Sequence, residues 1–125
     1  MQKFIVFIIF FISACSNSTP RFYPEGHNLS EGFVGQNYFS QIEISNAVLF
    51  KENIGVDIVP MGTGLKWQPK MMTSESGGTE EDYHYIIITG KPNKSGDILI
   101  HINGYSVGTA IAGSKIDKKY IIKVN

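Results

Sequence analysis

The feature that most constrains this chain is a two-residue rhythm of apolar side chains. In Asp97-Ile98-Leu99-Ile100-His101-Ile102-Asn103, the isoleucines fall on one side of an extended backbone while Asp97, His101 and Asn103 fall on the other. Such a stretch buries one face and leaves the other to water, as an antiparallel strand requires. Tyr38-Phe39-Ser40-Gln41-Ile42-Glu43-Ile44 repeats the rhythm, with Tyr38, Ile42 and Ile44 inward, and Lys119-Tyr120-Ile121-Ile122-Lys123-Val124 does so through Tyr120, Ile122 and Val124. Tyr83-His84-Tyr85-Ile86-Ile87-Ile88-Thr89 is apolar on both parities in its second half, which predicts a central strand covered on both faces. Val48-Leu49-Phe50 and Val56-Asp57-Ile58-Val59 read as two further short strands. Residues 68–82, with Ser74, Ser76, Gly77, Gly78 and the acids Glu80, Glu81 and Asp82, read as a long mobile loop. No 3.6-residue apolar stripe occurs. Strands spaced by about ten residues predict an all-β fold, an antiparallel β-sandwich, with a small closed β-barrel as the competing architecture.

The first fifteen residues follow a different rule. Lys3 precedes Phe4-Ile5-Val6-Phe7-Ile8-Ile9-Phe10-Phe11-Ile12, an apolar run well short of the about 20 residues a spanning helix needs. A basic start, an apolar run and a small-residue close form a signal-peptide profile. An ordinary secretory signal would leave Cys15 incidental. Cys15 is the only cysteine, so no intramolecular disulfide exists to use it, and an unpaired thiol in an oxidising compartment calls for another role. Ile12-Ser13-Ala14-Cys15 resembles the lipobox of bacterial lipoproteins, although that pattern more often has Leu where Ile12 stands. The resemblance implies removal of residues 1–14, a covalent diacylglycerol and N-acyl chain on Cys15, and a membrane partner reached through that anchor. Two or three acyl chains would hold the protein lastingly, at about 0.8 kcal/mol per buried methylene. Ser16 follows Cys15 where an inner-membrane retention signal would often have Asp, so the resemblance points to the outer membrane, facing the periplasm.

The remaining 111 residues suit one domain. Residues 15–30, rich in Ser, Asn, Thr, Pro and Gly, read as a lipidated cysteine and flexible tether, with Phe22 and Tyr23 able instead to pack as a first strand. Residues 31–125 then form the sandwich. Eleven basic residues balance eleven acidic ones, with no basic stripe, so no nucleic-acid partner is expected.

From Phe33 onward the features resemble those of cadherin-related Ig-like domains of bacterial surface and periplasmic proteins. Gly35 and Tyr38 match the family's opening. Pro60-Met61-Gly62-Thr63-Gly64-Leu65-Lys66-Trp67 is similar to its Pro-x-Gly-Leu turn, with Thr63 and Gly64 inserted. Ile88-Thr89-Gly90-Lys91-Pro92, followed by Gly96 and Ile98-Leu99-Ile100, matches its Ile-x-Gly-x-Pro stretch, and Tyr120-Ile121-Ile122-Lys123-Val124 its last strand. The resemblance implies an Ig-like sandwich, a fold that hosts many unrelated functions.

Chemistry is sparse in the sequence. His27, His84 and His101 share no ligand spacing, and no nucleophile elbow, phosphate loop or dinucleotide fingerprint occurs, so no enzyme, metal site or other cofactor is expected. Glu80, Glu81 and Asp82 are consecutive, whereas calcium loops draw ligands from alternating positions. Trp67 reads as a core indole rather than an exposed binding ring. The two ends of the long loop, Lys70, Met71 and Met72 with Glu80, Glu81 and Asp82, are the candidate partner-binding residues, since adaptable thioethers and charge make a contact surface. Residues 107–115 are a second loop of interest. The expectation is a lipid-anchored, non-catalytic envelope module that binds a protein or serves structurally. An immunity-type lipoprotein neutralising a periplasm-acting toxin is the alternative.

Overall fold

The computed structural model describes residues 19–108 and 113–125; Cys15, the signal segment and the middle of the 107–115 loop lie outside the described residues. Seven strands are present: β1 (Arg21–Tyr23), β2 (Tyr38–Ser45), β3 (Ile54–Val59), β4 (Leu65–Thr73), β5 (Thr79–Gly90), β6 (Gly96–Tyr105) and β7 (Lys115–Val124). They form a four-stranded sheet in the order β1-β2-β5-β4 and a three-stranded sheet in the order β3-β6-β7, with every strand pair antiparallel. The protein is an all-β sandwich, and neither sheet closes into a barrel. Numbered along the chain, this division of strands is the one used by constant-type Ig sandwiches.

The core arises from the two-residue rhythm. Ile42, Ile44, Ile86 and Ile88 from one sheet meet Ile98, Ile100, Ile102, Ile116, Tyr120 and Ile122 from the other in a single cluster. β-Branched side chains suit a pleated surface, and burying each isoleucine contributes about 1.5–3 kcal/mol. Trp67 packs against this cluster and meets Tyr83 edge-on at 6.5 Å between ring centroids. Tyr38 and Tyr120 bury their rings and donate their hydroxyls to Ser30 O at 2.8 Å and Pro24 O at 2.7 Å.

Those two bonds belong to the largest departure from the sequence expectation. The segment expected to be a tether up to residue 30 is part of the domain from Thr19 onward. Phe22 pairs with Ile44 in the four-stranded sheet, and Leu29 is a core residue. Past Pro24 the chain crosses to the other sheet, where Leu29 N donates to Ile121 O, Gly32 N to Lys123 O, and Ile121 N to His27 O. Residues 27–34 thus lie parallel to β7 and cover what would be its open edge. The Pro, Gly and Ser that suggest a linker shape the crossing from one sheet to the other.

Three other expectations change. Residues 68–82 form a hairpin of β4 and β5, with only residues 74–78 as its turn; Ser74 N donates to Gly78 O and Gly77 N to Ser74 O. Val48, Leu49 and Phe50 form a connection, not a strand; only Leu49 is buried, and a short 3-10 turn (Lys51–Asn53) comes next. The strand through Ile86, Ile87 and Ile88 is central in its sheet but covered on one face only. Pairing with β4 slips between Pro69, opposite Ile86, and Lys70, opposite Asp82. The bulge accommodates Tyr83, His84 and Tyr85, so Tyr83 and Ile86 both reach the core although their spacing is odd.

At one end of the sandwich the turn before β4 and the turn after β5 interlock. A Cβ on Gly64 would lie 2.1 Å from Lys91 O, and one on Gly90 would lie 2.1 Å from Gly64 O. Asn93 seals the contact by donating from its backbone to Thr63 O and from its side chain to Gly62 O. Glycine is required there because backbone meets backbone.

Candidate functional site

The β4–β5 hairpin brings the predicted partner-binding residues together. Lys70 stands opposite Asp82, Met71 opposite Glu81, and Met72 opposite Glu80, three successive cross-strand pairs leading to Thr73 and Thr79 at the turn. Met71, Met72, Glu80 and Glu81 are exposed, and Lys70 and Asp82 half-buried. These residues come together on one arm, the Met71–Glu81 pair facing the side opposite to its two neighbours, because the bulge lets β5 follow β4 past the end of β2, which stops at Ser45. The arm therefore projects beyond the four-stranded sheet.

Its base is fixed by three side chains. Tyr83 packs edge-on against Trp67 and donates its hydroxyl to Glu81 Oε2. Burial first, then the neighbouring carboxylates of Glu81 and Glu52, push its pKa up to about 12, so it remains a donor at any physiological pH. His84 ties the base to the β2–β3 connection: Nδ1 lies 2.8 Å from Asp82 Oδ1 and Nε2 lies 2.8 Å from Ala47 O. A carboxylate and a carbonyl can only accept, so these two contacts favour the protonated imidazole, in which both ring nitrogens donate. Partial burial pulls the His84 pKa down, but the Ala47 carbonyl and the Asp82 carboxylate outweigh it and the net shift is upward. Lys70 Nζ sits 4.8 Å from the Tyr85 ring centroid, a cation–π contact on the outer face of the sheet.

The arm thus presents two thioethers among four carboxylates, Glu75, Glu80, Glu81 and Asp82, with Lys70 the single cation of residues 70–82. The arm holds no nucleophile–base pair. Among the described residues no group of three or more His, Asp or Glu side chains could hold a metal ion, and no helix is long and apolar enough to cross a membrane. The remaining two histidines sit elsewhere. His101 Nε2 lies 2.6 Å from Asp117 Oδ1 on the outer face of the three-stranded sheet, and His27 Nδ1 lies 3.3 Å from Lys119 O.

Sequence reasoning missed two contributors. His84 is marked by the local Asp-x-His spacing, which puts Asp82 and His84 within reach of each other on one strand. Asn53, which knots the later part of the same β2–β3 connection, has no such signal, because Tyr105 among its partners is distant in sequence. Comparisons with protein-family models, with curated proteins and with solved structures give no match to this chain.

Proposed function

We propose that this chain is a lipid-anchored, non-catalytic envelope lipoprotein, held at Cys15 in the outer membrane facing the periplasm, whose Ig-like module binds a protein partner through the β4–β5 hairpin. The observation that carries the reading is the convergence of Lys70, Met71, Met72, Glu80, Glu81 and Asp82 into consecutive cross-strand pairs on a projecting, well-braced arm. Exposed methionines adapt to a partner's shape, and the surrounding carboxylates select against acidic surfaces. The acyl chains on Cys15 supply attachment and the arm supplies recognition.

Two measurements test this. Cells labelled with radioactive palmitate yield a labelled protein, and Cys15→Ser abolishes the label and releases the protein from the envelope fraction. A photo-crosslinker placed at Met72 in intact cells captures one protein in preference to others, and charge reversal of Glu80 and Glu81 to Lys removes that adduct. Capture unchanged by the reversal, or an unlabelled wild-type chain, would overturn the corresponding half of the proposal. The acidic excess of the arm also favours a second reading, an immunity-type lipoprotein that occludes a basic periplasm-acting toxin. Cells lacking this chain would then be killed by a toxin that neighbouring producers release, and undiminished resistance would exclude it.

A further inference from the structure

We infer that the end of the sandwich where the chain enters the domain rests on the lipid headgroup layer, through an apolar patch made of Val48, Phe50, Tyr105 and Val107. The inference rests on the proposed anchoring at Cys15 and adds an orientation to it. Asn53 ties the patch together. Its Nδ2 donates to Val48 O at 3.1 Å and Tyr105 O at 2.6 Å, its Oδ1 accepts from Phe50 N, and Val107 N donates to Val48 O at 3.0 Å. The four side chains held around this knot are all exposed, Phe50 at 54% and Tyr105 at 63%. Apolar side chains left in water on a hydrogen-bonded, ordered frame mark a contact surface.

The length of chain between anchor and domain says what covers that surface. Asn46 Nδ2 donates to Thr19 O at 3.0 Å, so the chain is already fastened at Thr19, beside a residue that stands two positions before Val48. Thr19 stands four residues beyond Cys15, a separation of at most about 14 Å even when fully extended. A domain of this size has a radius of gyration of about 13 Å, so its breadth exceeds that reach. The entry end, beyond which the β4–β5 arm also projects, is therefore kept at the membrane, and the far end, where Met61 is 95% exposed, is kept away from it.

The chemistry of the patch matches a headgroup layer. Phe50 and Tyr105 are aromatic groups of the kind that settle at membrane interfaces, and two exposed lysines and one exposed acid flank them: Lys51 and Glu52 follow Phe50, and Lys115 faces Tyr105 across the β6–β7 ladder. Lys115 is 4.0 Å from Asp117 Oδ2, a separation its long stem can exchange for a lipid phosphate. A patch of this size would bind a bilayer feebly from solution. An anchor within about 14 Å makes the encounter intramolecular, with an effective concentration of order millimolar, and a weak contact then suffices.

The test uses the full chain in growing cells. p-Benzoylphenylalanine is placed at Phe50, at Tyr105 or, as the control, at Met61, all exposed positions that leave the core untouched, and the same cells are labelled with palmitate. In palmitate-labelled protein, irradiation yields lipid adducts at positions 50 and 105 about fivefold or more above position 61. Equal lipid adducts at the three positions would overturn the orientation, and protein adducts at 50 and 105 in place of lipid would reassign the patch to a protein partner. Absence of palmitate label is read first and separately; it removes the anchor, and with it both the proposed function and this orientation.

Discussion

The two long hairpins of this molecule use the same residue rhythm to different ends. β6 and β7 keep an unbroken register from Gly96 opposite Val124 to Tyr105 opposite Lys115, and every second residue of β6 from Ile98 to Ile102 is buried. β4 and β5 keep register only from Leu65 to Pro69, slip at the bulge, and resume as an exposed arm. An uninterrupted two-residue period makes a wall of the core. A single phase shift turns the same kind of strand into a projection, because the bulge re-aims the residues beyond it.

Substitutions in the two hairpins should separate these roles, and the largest effect belongs to the wall. Ile100→Ala removes a fully buried side chain from the centre of β6, and the unfolding free energy from denaturant titration should fall by about 2–5 kcal/mol. A loss below about 1 kcal/mol would show that the wall is not the stabilising half. Gly90→Ala comes next. It forces a side chain against Gly64 O at a backbone φ of 128°, and a loss of about 1–3 kcal/mol is expected.

A smaller effect tests the brace of the arm. His84 has a raised pKa in the folded chain, so its stabilisation is fully present below the unfolded value of 6.5 and is lost as pH rises through the higher folded value. The bonds are partly solvated, so the effect should amount to no more than about 1 kcal/mol. His84→Gln should flatten the pH dependence of stability from 6.5 upward, and an unchanged profile would remove the imidazolium from the brace. Smallest of all, Met71→Ser with Met72→Ser should alter stability by about 0.5 kcal/mol or less while lowering capture of a partner by the arm. A large stability loss there would make the arm a structural element, and unaltered capture would move recognition elsewhere.

The same contrast explains which features are legible in the sequence. Ile98, Ile100, Ile102, Ile42, Ile44, Tyr120 and Ile122 are legible because alternation reports which side of a regular strand is dry. Tyr83 through Thr89 misleads for the same reason: apolar residues on both parities signify either burial on two faces or a change of phase within one strand, and periodicity has no means of separating them. Val48, Leu49 and Phe50 have strand-forming side chains, but only Leu49 finds the core. The crossing segment is hidden because its fastening is mostly backbone, from Leu29, Gly32 and Ile121, and backbone bonds leave no mark on residue type. In the arm, the residue types are legible and their pairing is not, since Lys70 and Asp82 become neighbours only once the turn at residues 74–78 is formed.

That crossing segment also has a mechanical consequence. Because residues 21–34 fasten first to β2 and then to β7, a pull transmitted through Thr19 loads the two halves of the sandwich in turn. The tail is stitched across the seam, and drag on it must strip the three β1–β2 pairs before it reaches the second row of stitches along β7.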